Sequence, residues 1–248
     1  MADPTRRQAL LVDLDGTFYR GDGPVLAYAR TVADSLRAGD AATFSTALAG
    51  YLSATVPMDP TLRHATDGWE AVQRLAIDGF GVGNDTLDAA FLASRRALAS
   101  PDCAVEVPPG LIDALRELRP TTYLVLATNS PADWLGELLA RLDAGDVFDD
   151  VVAHARKPIG MPGILLGIAG RIGVSDEPWR IFSVGDHWAN DIEPARVFGA
   201  ATGYVDRFGR NDGPADVVAP DVEGVLPTIR RWAADPGAFR RATATVDR

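Results

Sequence analysis

Two hydrophobic rhythms divide the chain: short apolar runs that close on polar residues lie near its start and across its second half, and a long stretch at helical spacing lies between them. In "QALLVDLDGT" the run Ala9 to Val12 gives way to acids and a glycine, the pattern of a buried parallel strand that delivers polar groups at its C-terminal tip. From Pro24 to about Ser100 the pattern becomes helical. Val25, Ala29, Val32 and Leu36 fall at i, i+4, i+7 and i+11, with Gly39 offering a stop. Similar stretches cover Phe44 to Leu52 and Trp69 to Ile77, and Asn84, Asp85 and Thr86 are placed to cap a helix over Leu87 to Leu98. No strand pattern occurs in these roughly 80 residues.

Beyond them, helix and strand alternate. "VPPGLIDALRELRP" predicts a helix with proline in its first turn, followed by the strand "TTYLVLATN" and the helix "PADWLGELLARLDAG". Then come a short strand in "DVVAHA", the helix "GMPGILLGIAGRIGV", the strand "WRIFSVGD", the helix "ANDIEPARVFGA", the strand "ATGYVD" and a last helix in "VEGVLPTIRRWAAD" despite Pro227. Such alternation implies an α/β fold, a Rossmann-like parallel sheet with helices on both faces. The helical block is then an insertion, giving a sheet domain of residues 1–19 and 106–248 and an all-helical domain of residues 20–105. Ligands of open α/β sheets bind at the carboxyl ends of the strands. An insertion leaving from that end would overhang the site as a lid. The tail from Asp235 reads as loosely ordered.

Charge narrows the partners. With 34 acids against 24 bases the net charge is -10, and no basic run occurs, which argues against a nucleic-acid or anionic membrane surface. An anionic substrate needs a locally built cationic pocket. The four-residue run Ala9 to Val12 is too short for a signal-peptide core, and nothing approaches the roughly 20 apolar residues of a membrane helix. The single cysteine, Cys103, excludes an internal disulfide and a cysteine metal cluster, so a cytoplasmic protein is expected. Cys103 lies in a loop-like stretch with no histidine nearby, a poor setting for a nucleophile.

The expected strand tips gather polar residues: Asp13 and Asp15 after the first strand, Thr128 and Asn129 after the second, Lys157 after "DVVAHA", and Asp186 with Asp191 after "RIFSVG". Lys157 is the chain's one lysine, the other 23 of its 24 strongly basic side chains being arginine. Each piece has a plainer explanation by itself: a turn for the DxDG, a helix N-cap for Thr128, Asn129, Asp186 or Asp191. Together, in this order, they point to a site. Crowded carboxylates raise one another's pKa unless a cation compensates them. Oxygen ligands without cysteine or paired histidines favour Mg²⁺, which leaves positions for water and a substrate phosphate. Backbone amides at the helix start expected after Thr128 would add an anion-binding element.

These residues resemble the haloacid dehalogenase (HAD) superfamily, mostly Mg²⁺-dependent phosphatases. "DLDGT" (Asp13 to Thr17) is similar to its first motif, "LVLATN" through Thr128 to its second, the lysine of "RKP" to its third, and "VGDHWANDIEPARVFGA", with Gly185, Asp186, Asn190 and Asp191 in place, to its fourth. The resemblance implies that Asp13 is the nucleophile, forming an aspartyl-phosphate, and that Asp15 is the general acid and then the general base. It implies that Thr128, Asn129 and Lys157 bind the phosphoryl group, together with Asp13. Mg²⁺ would be bound by Asp13, the backbone carbonyl of Asp15 and Asp186, with Asp191 in support. The helical insertion resembles a C1-type cap. "DGTFYRGDGPV" is similar to a branch whose cap follows the second motif, but the 29 residues from Thr128 to Lys157 are too few to hold one.

The expected activity is therefore hydrolysis of a small phosphorylated metabolite by a monomer or homodimer. A phosphosugar mutase would use the same set. A 2-haloacid dehalogenase would typically lack the second aspartate of the first motif, here Asp15, and a non-catalytic binding or regulatory domain would not need the full set. Phosphonate cleavage through a cap lysine is closed, since residues 20–105 contain none. Arg20, Arg63, His64 and Arg74 are the cations of the insertion that could meet a second anionic group, though a solvated surface suits each as well. His187 and Trp188 could line the entrance or simply pack, and His154 is expected to face solvent.

Overall fold

The computed structural model describes residues 6–53 and 59–243. In chain order the elements are β1 (Ala9–Val12), α1 (Gly23–Asp34), α2 (Ala38–Leu52), α3 (Gly68–Arg74), α4 (Asn84–Ala99), α5 (Leu111–Leu118), β2 (Tyr123–Ala127), α6 (Leu135–Arg141), β3 (Asp150–Val152), α7 (Met161–Ile172), β4 (Ile181–Gly185), α8 (Glu193–Phe198), β5 (Ala201–Val205), β6 (Val217–Ala219), α9 (Val222–Ala234) and α10 (Pro236–Thr243). They fall into two compact units: Met1–Arg20, Glu106–Ala132 and Leu142–Arg248 in one, Gly21–Val105 with Asp133–Arg141 in the other.

The first unit is built on a six-stranded sheet in the order β3-β2-β1-β4-β5-β6, parallel throughout. Alternate side chains serve its two faces. Leu11, Val125 and Ala127 pack with Met161, Leu165 and Ile168 of α7. On the other face the Phe182 ring lies 5.4 Å from Trp232 of α9 and 6.4 Å from Phe239 of α10. Being covered on both sides is why β1, β4 and β5 are apolar runs rather than alternating ones. Each fully buried aliphatic contributes about 1.5–3 kcal/mol, so packing holds the strand ends in register.

The second unit is helical, with no strand among its described residues. Its centre stacks Tyr28 on Trp69 at 5.7 Å and Trp69 against Phe91 at 5.6 Å, with the Arg95 guanidinium 3.9 Å from the Trp69 ring centre. The sequence pattern assigns 133–141 to the sheet domain, whereas in the structure this segment packs in the helical unit. Arg141 there donates to Leu98 O at 2.8 Å, satisfying a carbonyl in the last turn of α4.

Several local expectations are corrected. Gly39 does not stop α1, which ends at Asp34; it sits in the first turn of α2, where its side of the helix is open and no packing excludes it. Asn84, Asp85 and Thr86 form the first turn of α4 rather than its cap, because the extended backbone of Gly83 already takes the cap position. Asp67 caps α3, accepting from Glu70 N at 2.7 Å, and the helix widens over Leu75–Gly79. Strand β6 is not visible in the apolar pattern because it has three residues between prolines 214 and 220. The tail is helical through Thr243, anchored by buried Phe239. Among the described residues no helix is long and apolar enough to cross a membrane.

Candidate active site

Parallel pairing carries the strand C-termini to one edge of the sheet. Val12 is level with Leu126 and Val184, so Asp13, Thr128 and Asp186 emerge from three adjacent strand ends. Asp13 N donates to Val184 O at 3.0 Å and Thr128 N to Val152 O at 2.9 Å, which extends the ladder to the first functional residue on each side.

Lys157 reaches this edge from the loop after β3. Its ammonium donates to Asp13 Oδ1 and to Asp191 Oδ1, both at 2.6 Å, and all three side chains are buried. The loop is fastened by Asn129, whose Oδ1 accepts from Lys157 N at 2.6 Å and whose Nδ2 donates to Lys157 O at 3.1 Å. The side-chain amide of Asn129 is thus committed to the lysine's backbone. The Asp13 carboxyl is raised to about 7, chiefly by burial; Lys157 opposes the rise, while Asp191 and Asp15 add to it. For Lys157 burial pulls downward, but the two carboxylates outweigh it and the net shift is upward.

Carboxylate oxygens of Asp13, Asp186 and Asp191 lie within 4.8 Å of one another. An all-oxygen donor set short of positive charge suits a hard divalent cation. Two glycines permit the crowding. A methyl on Gly16, whose φ is +81°, would lie 2.0 Å from Asp186 Oδ2, and one on Gly185 would lie 2.4 Å from Asp191 Oδ2. Asp191 is further steadied by His187 N, which donates to its Oδ2 at 3.2 Å, and by Ser183 Oγ, which donates to its main-chain oxygen at 2.8 Å.

Asp15 faces a different set of groups. Its Oδ1 accepts from the Tyr19 hydroxyl and its Oδ2 from Ser130 Oγ at 3.2 Å. Its carboxyl is not among the three gathered acids. Thr128 Oγ1 accepts from Ser130 N at 3.0 Å, leaving the hydroxyl hydrogen to be donated elsewhere. The helix expected directly after Thr128 begins only at Leu135; a turn with Trp134 at φ 61° intervenes.

The remaining candidates have other settings. Arg20 pairs with Glu106 and Glu223, each at 2.8 Å, within the sheet unit. Arg74 pairs with Glu70 at 2.6 Å, and Arg63, His64 and His154 are exposed. Trp188 donates to Pro214 O at 3.1 Å and its ring covers Gly213, so packing within its own unit accounts for its bulk. Burial raises the Cys103 thiol's pKa against the pull of Arg141 and Arg95, which disfavours the thiolate. Sequence reasoning did not reach Tyr19 and Ser130; their signal is position alone, four residues after Asp15 and two after Thr128.

A parallel α/β core that gathers acids and one lysine at its strand ends, interrupted by a helical insertion, defines a class of hydrolases. Residues 8–199 match the family model of the haloacid dehalogenase-like hydrolases, and the chain belongs to that family. It is 28% identical over 141 residues to phosphoglycolate phosphatase 1 of Pseudomonas aeruginosa, a match covering 56% of this chain and 50% of that protein. The chain thus spans about half the length of this curated relative. Among solved structures it is similar to the HAD hydrolase YfnB of Bacillus subtilis, bound to magnesium, with a TM-score of 0.60 at 15% identity over 91% of this chain and 99% of that one. It is also similar to the 2-haloacid dehalogenase of Pseudomonas syringae pv. tomato, with a TM-score of 0.53 at 19% identity over 91% and 99%. These structural likenesses establish the fold.

Proposed function

We infer that the protein is a Mg²⁺-dependent phosphatase that hydrolyses a small phosphorylated metabolite through an aspartyl-phosphate on Asp13. The observation that carries this reading is the division of labour between two carboxyls two residues apart: Asp13 on a buried ammonium beside two further acids, Asp15 on two hydroxyls outside that cluster. In the first step an Asp13 oxygen attacks phosphorus while Asp15 gives its proton to the leaving alcohol oxygen. In the second, Asp15 takes a proton from water, which attacks the phosphorus and releases phosphate, restoring both carboxyls. Lys157 spends two of its three N–H donors on Asp13 and Asp191 and has the third for a phosphoryl oxygen. The unspent Thr128 hydroxyl hydrogen meets another.

Asp13, Asp186 and the Asp15 carbonyl, with Asp191 in support, would hold Mg²⁺, which would supply Lewis-acid charge for the phosphoryl oxygens. A dehalogenase would have no need of Asp15 or of a phosphate-binding metal. The inserted helical unit takes the part of a C1-type cap, supported by the place of its main segment, Gly21–Val105, between Asp15 and Thr128. The test is turnover of p-nitrophenyl phosphate with Mg²⁺, with EDTA, and with Asp13→Asn. Mg²⁺-dependent hydrolysis that the substitution lowers by about 10³-fold or more is expected, given the size of nucleophilic contributions; metal-independent turnover that survives the substitution overturns the reading. A panel of phosphorylated metabolites ranked by kcat/KM, with 2-phosphoglycolate first because of the relative's name, then addresses the substrate.

A further inference from the structure

We propose that Tyr19 and Ser130 are positioning residues that lock the Asp15 carboxyl in the orientation for proton delivery to the leaving oxygen, so that the enzyme's reach extends to esters of poor, alkyl leaving groups. This rests on the phosphatase reading above. An aspartate carboxyl is a broad, two-fold rotor. Here each of its oxygens has its own hydroxyl, Tyr19 on Oδ1 and Ser130 Oγ on Oδ2 at 3.2 Å, arriving from opposite sides of the site in sequence, 4 and 115 residues away.

Both hydroxyls are themselves set by backbone. Tyr19 is buried in a tight turn, its N–H donating to Leu14 O at 3.2 Å. Ser130 N donates to Thr128 Oγ1 at 3.0 Å, and its carbonyl accepts from His154 N at 2.9 Å. A hydroxyl can donate to a carboxylate or accept from a carboxylic acid, so the two contacts persist as Asp15 loses and regains its proton. In the balanced step the Asp13–phosphorus bond forms, the phosphorus–oxygen bond to the alcohol breaks, and the Asp15 proton ends on that oxygen. Tyr19 and Ser130 contribute geometry and exchange no proton with substrate.

The readout is the leaving group. p-Nitrophenolate departs without a proton, whereas an alkoxide needs one. Tyr19→Phe keeps the buried ring and removes one oxygen, and Ser130→Ala removes one oxygen. For each, kcat/KM is measured with p-nitrophenyl phosphate and with glycerol 1-phosphate in the presence of Mg²⁺, alongside a thermal melt. The expected result is a loss of about tenfold on the alkyl ester and about twofold or less on the aryl ester, in keeping with one hydrogen bond removed. Equal losses on both esters, or no loss on either, overturn the positioning role and leave the phosphatase reading standing. A wild-type protein that turns over neither ester brings down that reading and the inference with it.

Discussion

Asp13 and Asp15 leave the same strand end two residues apart, yet the protein surrounds them in opposite ways. Asp13 is buried, gripped by the ammonium of Lys157, and crowded by Asp186 and Asp191. Asp15 is only half buried and is held by the neutral hydroxyls of Tyr19 and Ser130. Lys157 opposes the burial and crowding that favour the neutral form of Asp13, and a bound cation would favour the anion that a nucleophile needs; hydroxyls hold either protonation state, which would suit a group that gives a proton and takes one back. One strand tip thus offers two carboxyls with different chemistry, set by neighbours rather than by residue type.

The sharpest way to break the Asp13 side without removing a charge is Lys157→Arg. The ammonium sits 2.6 Å from two carboxylates, and the lysine side chain is only 4% exposed. A planar guanidinium is larger and distributes its donors in a fork. Turnover of p-nitrophenyl phosphate should fall by about a hundredfold, near 2.7 kcal/mol of transition-state stabilisation, with a cooperative melt retained. Near-normal kcat/KM would show that only the charge matters and that the chain's one lysine is incidental.

A smaller effect is expected where the two sides meet, at Gly16. Alanine there would carry a methyl at φ +81° and 2.0 Å from Asp186 Oδ2, so the backbone is strained and the acid displaced. Strain of this kind costs about 1–3 kcal/mol, a Tm loss of several degrees for a chain of this size. The Mg²⁺ concentration for half-maximal activity should rise by about tenfold, since a ligand that moves weakens the site by roughly one good interaction. If Gly16→Ala lowers Tm but leaves the Mg²⁺ requirement unchanged, Asp186 is not a determinant of metal affinity.

The difference between the two sides was only half legible in sequence. Asp13, Asp15, Thr128, Lys157, Asp186 and Asp191 announce themselves because each closes an apolar run or follows one closely, and parallel strands must bring such ends together. The alternation of strand and helix carried the sheet for the same reason. What sequence could not carry depends on turns. Whether the Tyr19 hydroxyl returns to Asp15 follows from the tight turn through Leu14 and Phe18, and the late start of α6 turned the stretch after Thr128 from a helix N-terminus into a loop that brings Ser130 to Asp15. Asn129, read as a phosphate contact, proved to fasten the lysine loop because its short amide matches both polar groups of one peptide unit. Gly83 for the expected caps of α4, and the three-residue β6, show the same limit: one or two residues of backbone geometry decided them.

The smallest expected effect separates the two sides by pH. Burial lifts the Asp13 carboxyl from 3.8 to about 7, so its neutral form fits the metal-free fold better than its anion. A carboxyl whose folded-state pKa is raised contributes stability that is full below the unfolded value and is lost as pH rises through the folded one. That loss falls between about pH 4 and pH 7 for this group. The Lys157 shift is also upward, and its contribution is constant over this window because the ammonium stays charged throughout. Mg²⁺ needs the anion that protons remove. Saturating Mg²⁺ should therefore raise Tm by a few degrees at pH 8, where binding adds about 2–3 kcal/mol, and by little at pH 5. In Asp13→Asn the pH dependence of that increment should flatten, while in Tyr19→Phe, on the other side of the strand tip, it should persist. An increment as large at pH 5 as at pH 8 in the wild type would place the metal away from Asp13 and dissolve the distinction between the two carboxyls.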